Sequence, residues 1–326
     1  MTRHVALLRT LVCALVPLML SAPAARAQAY PTQPVKLIVP FGAGGSLDVL
    51  ARLVGEPLGK ALGQPIVIDN RPGAAGNLAA EVTAKAEPDG HTLLVVPSAF
   101  AVNATLYTNL RFDPRKDFSP IAMLGATQNV LVANMQFPAQ SVRDVIARAK
   151  AQPGKIDYAS TGVGTSGHLT FELFKTLAGV DLTHVPYRSI GQETTDLIAG
   201  VVPLAMPSIP GAMGHIETGK LRGLAVSGKS RSPVLPAVPT MAEAGVAGYE
   251  ATTWYALLGP AGVPRAAVAR INAEIGRLLR DPAFGEKLSK QGIEPMLMSP
   301  DELSAYIASE IDKWAAVVKA ANLKPD

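Results

Sequence analysis

Short β-like apolar runs alternate with helical patterns along almost the whole chain, and this rhythm restricts the fold more than any other feature. The first run covers 35–39. Leu47, Leu50, Ala51, Val54, Leu58 and Ala61 then recur at helical spacing, predicting a helix over about 47–62 that Pro57 should kink. Runs at 66–69 and 92–97 follow, with a turn and helix start expected around Arg71-Pro72-Gly73. Strand, helix, strand in this order predicts a parallel sheet with right-handed crossovers. A loop carrying Asn103, Tyr107 and the polar cluster at 113–117 closes this set.

Two β-runs are unusually long, 121–133 and 251–258, and a second set of units lies between them. That set reads as strands at 156–160, 182–187, 204–206 and 221–226. Its helices fall at 141–151, N-capped by Ser141, and at 168–178, 191–200 and 209–219. The stretch 229–240 contains three prolines and reads as loop, with Gly228 placed at its start, away from any site. Helices at 265–280, 282–291 and 301–321 close the chain; the last is amphipathic and is expected to pack on its own lobe. Long strands on both sides of the second set predict an α/β protein of two lobes, one inserted into the other through a two-strand hinge. The expected division is lobe 1 from 28–127 and 255–326, and lobe 2 from 128–254. Such a molecule opens and closes around a cleft.

Residues 1–27 have the pattern of a secretory signal peptide: Arg3 and Arg9, an apolar run over 11–20 interrupted by Pro17, and Ala25-Arg26-Ala27 ahead of a cut before Gln28. The run is shorter than the roughly 20 residues a membrane span needs. Of the formal net charge of +4, Arg3, Arg9 and Arg26 supply three, so the mature chain is close to neutral and its composition gives no basis for nucleic-acid binding. The one cysteine, Cys13, lies inside the leader and follows Val12 rather than the small residue of a lipoprotein site. The expected mature chain therefore has no disulfide and no acyl anchor, and it is long enough to bury two cores without them.

Two glycine-rich loops sit where a strand gives way to a helix. One is Pro40-Phe41-Gly42-Ala43-Gly44-Gly45-Ser46-Leu47-Asp48, the other Ser160-Thr161-Gly162-Val163-Gly164-Thr165-Ser166-Gly167-His168. Glycines there let backbone approach a ligand, and the following helix start offers unpaired N–H groups and partial positive charge. One loop in each expected lobe points to an anion held between them. Neither loop matches the phosphate-binding G-x-x-x-x-G-K-[ST], and Leu47 stands where the last glycine of G-x-G-x-x-G belongs, so a carboxylate is the expected guest. Asp48, in a first helical turn, reads as a structural cap.

Enzyme patterns fit poorly. Gly164-Thr165-Ser166-Gly167-His168 approaches a nucleophile elbow, but His168 replaces the final glycine and Ser166 has no defined base. His91, His168, His184 and His215 show no metal-ligand spacing, and no cofactor is called for. Tyr187 and Trp254 could face a cleft, although packing accounts for either.

The segments PFGAGGSLDVLARLVGEPLGKALGQPIVIDNRPGAAG, PDGHTLLVVPS, LRFDPRKDFSPIAML, IDYASTGVGTSGHLTFELFK and HVPYR resemble the Bug family, the substrate-binding proteins of tripartite tricarboxylate transporters. The resemblance runs from about Tyr30 to the C-terminus. It implies a periplasmic binding protein of the type II, Venus-flytrap architecture that holds organic, amino-acid-like or aromatic acids by a carboxylate. It also implies delivery to integral membrane permease subunits. Transferred to this chain, the gripping positions are Phe41, Gly42, Ala43, Gly44, Gly45 and Ser46 in the first loop. Thr161, Gly162, Gly164, Thr165 and Ser166 serve in the second, with Ser98 facing the same cleft. Ser208 joins them from a stretch that departs from the family: over 202–212, Pro203 and Pro207 occupy customary Asp positions. Loss of those carboxylates favours a plain acid over one with an ammonium group. The expected protein is a monomer that binds and does not catalyse; a sensor subunit presenting the same acid to a membrane histidine kinase, or a secreted serine hydrolase acting through Ser166, are the alternatives.

Overall fold

The computed structural model describes residues 30–43, 46–187 and 189–324. The expected leader and its cleavage site lie outside the described residues, as do Gly44 and Gly45.

The strands form two five-stranded sheets. In the first, β1 (Val35–Val39) lies parallel to both β2 (Ile66–Asn70) and β3 (Thr92–Pro97), and β10 (Thr252–Pro260) runs antiparallel between β3 and β4 (Phe118–Gln128). In the second, β6 (Asp157–Ser160) lies parallel to β7 (Thr183–Pro186) and β8 (Leu204–Ala205), and β5 (Val130–Asn134) runs antiparallel between β8 and β9 (Leu221–Val226). The sheet orders, β2-β1-β3-β10-β4 and β7-β6-β8-β5-β9, are the same pattern twice. Neither sheet is wholly parallel, contrary to the expectation from strand–helix alternation. The antiparallel member of each is the strand that has just arrived from the other lobe, a connection that alternation alone does not reveal.

The run at 121–133 is two strands, not one. Asn129 separates β4 from β5 and carries the chain from the first sheet into the second. Its N–H donates to Ser227 Oγ and its carbonyl accepts from Ser227 N, both at 2.8 Å, while its Nδ2 donates to the Met206 carbonyl at 2.7 Å. The returning chain is stitched to the same point, Ala251 N donating to Ser227 O. Gly228 belongs to this hinge and not to a remote loop: its N–H donates to Gln128 Oε1, and a Cβ there would stand 2.4 Å from Gln128 Cδ.

Helices cover the sheets. In lobe 1 these are α1 (Ser46–Leu62), which continues through Pro57, α2 (Asn77–Ala84) and α3 (Ala99–Leu106). In lobe 2 they are α4 (Val142–Ala151), α5 (Ser166–Ala178), α6 (Ile190–Ala199) and α7 (Ile209–Glu217). The closing helices α8 (Arg265–Arg280), α9 (Pro282–Ser289) and α10 (Pro300–Ala320) return to the first sheet. Two of these differ from expectation. The segment around Asn103, read as loop, is the helix α3: Phe100, Ala101, Val102 and Leu106 are buried on almost every side, so no amphipathic stripe shows. Helix α2 starts at Asn77 rather than near 71–73, because Ala74 and Ala75 take positive φ in a short 3-10 turn first. The last helix packs chiefly on α3 of lobe 1 but also reaches α5 of lobe 2, and Trp254 and Trp314 both donate to its buried Glu310 carboxylate.

Candidate ligand cleft

Both glycine-rich segments leave the C-terminal end of a central parallel strand, β1 or β6, and enter a helix. That is where open α/β sheets present a crevice. The crevice here is a cleft of about 710 Å³ between the lobes. Four helices begin on it: α1 after the first loop, α3 at Ser98, α5 at Thr165 and α7 at Ser208. None of the N-cap residues Ser98, Thr165 and Ser208 spends its side chain on capping. In α5 the first intrahelical bond is Leu169 N to Thr165 O, so the N–H groups of Ser166, Gly167 and His168 precede it and have no partner in the helix. Among the described residues, the lining contains no Asp, Glu, Lys, Arg or His. A negative charge entering the cleft meets helix N-termini and hydroxyls rather than a cation.

Of the residues singled out from sequence, Phe41, Ser98, Gly164, Thr165, Ser166 and Ser208 line this cleft together. Gly42, Ala43, Thr161 and Gly162 are not among its lining residues, and Ser46 is the first residue of α1. The second loop also spends several donors on itself. Gly162 N–H donates to Ser160 Oγ (3.2 Å), Gly164 N–H to His168 Nδ1 (3.2 Å), and both the N–H and hydroxyl of Thr165 to the Gly162 carbonyl (3.3 and 2.8 Å). The donors left for a ligand include those of the first turn of α5 and the Ser166 hydroxyl.

Other lining residues carried no sequence signal. Asn103, Leu106 and Tyr107 reach the cleft from α3 and its end, Thr127 from β4, and Thr253 and Tyr255 from β10. Thr127 has a buried hydroxyl without a protein partner, and burial pushes the Tyr255 phenol up to about 12. The two aromatics pack, as their sequence context favoured: Trp254 is fully buried against Glu310 and Tyr187 lies in the core of lobe 2. Strand alternation sends Trp254 and Tyr255 to opposite faces, but sequence does not say which face is the cleft. Gln291 and Pro210 meet from the two sides, and a Cβ on Gly292 would overlap Pro210.

Asp48 does not line the cleft. It is 2% exposed, accepting from Arg52 Nε (3.0 Å) and Asn70 Nδ2 (2.9 Å), and the same Nδ2 donates to the Phe41 carbonyl (3.0 Å). Pro203 and Pro207 serve the sheet, their carbonyls accepting from Asn134 N and Val130 N. Among the described residues no hydrogen bond joins Ser166 to a basic side chain; His168 Nδ1 is turned to Gly164, and His184 Nε2 lies by Ser160 Oγ. Among the described residues no cluster of three or more His, Cys, Asp or Glu side chains could hold a metal, and no helix is long and apolar enough to cross a membrane.

Residues 50–323 match the model of the tripartite tricarboxylate transporter family receptor. The chain is 37% identical over 300 residues to Protein BugT of Bordetella pertussis, covering 91% of this chain and 92% of that one. Two solved structures share the fold: R. palustris Rpa4515 with adipate, at 37% identity and a TM-score of 0.75 over 91% of this chain and 100% of that one, and MatC (Rpa3494) from Rhodopseudomonas palustris with bound malate, at 33% and 0.71 over 89% and 100%.

Proposed function

The chain belongs to the tripartite tricarboxylate transporter receptor family, and from that premise we propose that it captures a small organic acid by its carboxylate, in the cleft between its lobes, for the permease subunits of a transporter of that type. The observation that carries the reading is the convergence of four helix N-termini on a cleft whose described lining has no charged side chain. Such a site favours a carboxylate through oriented N–H dipoles and offers little to a neutral ester. The acids bound by the two relatives, adipate and malate, are of this class. The same lining offers an ammonium group no carboxylate, which supports a plain acid over an amino acid. The matched family is one of receptors, which supports capture rather than turnover. In this reading the chain is exported to the periplasm, cut before Gln28, and acts as a monomer. The gripping residues are Phe41, Ser98, Thr165, Ser166 and Ser208 with the glycine-loop backbone, across the division of lobes read from the sequence.

Calorimetry on the purified mature chain tests this with adipate, malate and their dimethyl esters. The acids are expected to bind and the esters to fail. A bound acid at 100 times its Kd adds about 2.7 kcal/mol of stability, visible as a raised Tm. Equal affinity for an acid and its ester would remove the carboxylate from the argument.

A further inference from the structure

Beneath the second glycine-rich loop lies a buried polar cluster that the cleft itself does not use. His168, on the first turn of α5, is 2% exposed. Its Nδ1 faces the Gly164 N–H at 3.2 Å, so Nδ1 is the acceptor, and the ring proton sits on Nε2, 4.0 Å from Glu172 Oε1. Glu172 is itself satisfied by Lys175 Nζ at 2.8 Å and by the Tyr158 hydroxyl at 2.5 Å. On the other side the His184 ring lies 4.2 Å from that of His168, and its Nε2 is 2.6 Å from Ser160 Oγ, at the root of the same loop. The groups facing His168 are thus Glu172 and Lys175 from its own helix, Tyr158 from β6 and His184 from β7.

The loop bridged by this ring is one that glycine makes pliable. Gly162 and Gly164 have φ of +119° and +79°, and a Cβ at Gly162 would touch nothing within 4 Å. Left to itself such a turn has many accessible shapes. The bond from Gly164 to a side chain one helical turn later selects one of them, much as the third residue of a capping box reaches back across a helix start. That shape sets the start of α5, where Ser166 lines the cleft and the first-turn N–H groups have no partner in the helix.

Resting on the carboxylate reading above, we propose that His168 is a positioning residue of the binding site: its neutral ring accepts the Gly164 N–H and fixes the glycine turn so that the start of α5 can receive the ligand. The ring does not touch the ligand and is not among the residues lining the cleft. Burial, with His184 close by, pulls the imidazole down to about 4, so it stays in the accepting form through the ordinary pH range.

The test compares His168→Leu, which keeps bulk and loses the acceptor, with His168→Asn, whose Oδ1 takes the place of Nδ1. Two readouts are made on the full mature chain: amide exchange at Gly164 by NMR on glycine-labelled protein, which needs no ligand, and calorimetric affinity for adipate and malate. In wild type the Gly164 amide is expected to be protected and the His168 Nδ1 nitrogen to resonate as an unprotonated acceptor. Loss of the acceptor in the Leu variant should speed Gly164 exchange and weaken acid binding by about tenfold each, and Asn should bring both back to within about threefold. A folded Leu variant with wild-type exchange and affinity overturns the proposal. So does an Asn variant that folds and fails as badly as Leu, because packing and not the acceptor would then matter. If the Leu variant does not fold, wild-type Gly164 exchanging like an unprotected amide still overturns it. A wild type that binds neither acid but shows the protected amide and its rescue by Asn defeats the carboxylate reading while supporting the clamp.

Discussion

The two glycine-rich turns occupy equivalent places in equivalent sheets and are held in different ways. The first, between β1 and α1, is tied by charge: Asp48 holds Arg52 and Asn70, and Asn70 holds the Phe41 carbonyl. Arg52 is more than half exposed, so this clamp is open to solvent at one end. The second, between β6 and α5, is tied by imidazoles of lobe 2, the buried His168 on Gly164 and the half-buried His184 on Ser160. One device in the sequence is therefore maintained by two kinds of interaction, and each should respond to a different perturbation. Salt and charge removal act on the first turn, protons on the second.

Removing the charged clamp should have the largest effect. Asp48→Ala leaves the Asn70 amide nitrogen with one acceptor in place of two and strips Arg52 of its carboxylate partner, leaving it only the Asn70 Oδ1 at 3.5 Å. Because Arg52 can rehydrate, the loss belongs at the low end of that for broken buried pairs, about 3 kcal/mol. Asp48→Asn should cost less, since a neutral oxygen can still accept. Urea unfolding measures both, and exchange at Gly42 should rise while Gly164 stays protected. A loss under about 0.5 kcal/mol for Asp48→Ala would show that the first turn holds without its charges.

The second turn is probed by pH. His168 is held down at about 4 by burial, below its ordinary value of 6.5. A histidine with a depressed folded value binds its proton more readily when unfolded. Its contribution is therefore fully present above pH 6.5 and is lost as pH falls through 4, by up to about 3 kcal/mol. His168→Asn should flatten this arm of the stability curve. Glu193, buried in the first turn of α6, has the opposite sign: desolvation raises it to about 7, so stability present below pH 4.5 is lost as pH rises through 7. Glu193→Gln should therefore stabilise at pH 8 by about 1 to 2 kcal/mol and leave the acid arm in place. An acid arm that persists unchanged in His168→Asn would assign it elsewhere and remove the contrast between the turns.

Much of this contrast lay beyond the reach of sequence, for a physical reason. The turns announce themselves because glycines between a strand and a helix are local signals. The helices at 265–280 and 282–289 and the strand at 221–226 were legible for the same reason, each having its own periodicity. The clamps are not local: Asn70 lies on β2 and His184 on β7, brought beside the turns only by parallel pairing of their strands with β1 and β6. His168 was visible as a residue at a helix start, but the direction of its ring depends on the turn it holds. The floor of the cleft was hidden similarly. Thr127, Thr253 and Tyr255 come from the antiparallel pair β4–β10, a pairing across more than 120 residues that follows from the lobe insertion and not from any local pattern. Gly228 shows the same limit from the other side, since a loop-like composition placed it far from function while the hinge pairing places it against Gln128.

The smallest expected effect separates glycines that the sequence treats alike. Gly42 has no positive φ and open space around its Cβ direction, whereas Gly164 has φ +79° with only Leu106 Cδ2 near, at an ordinary contact distance of 3.5 Å. Alanine at Gly42 meets no steric or conformational penalty and restricts the unfolded chain, so its effect should lie between zero and about 0.5 kcal/mol of stabilisation. Alanine at Gly164 has room for its methyl group but must adopt a left-handed backbone, which costs about 1 kcal/mol. Because space is available, any loss at Gly164 is conformational. If the turn relaxes to avoid the strain, the N–H of residue 164 must leave His168 Nδ1, and acid affinity should fall together with amide protection. Gly42→Ala should alter neither. Paired urea unfolding and calorimetry on the two variants read this out, and equal behaviour would mean that the second turn is no more constrained than the first, leaving His168 nothing to hold.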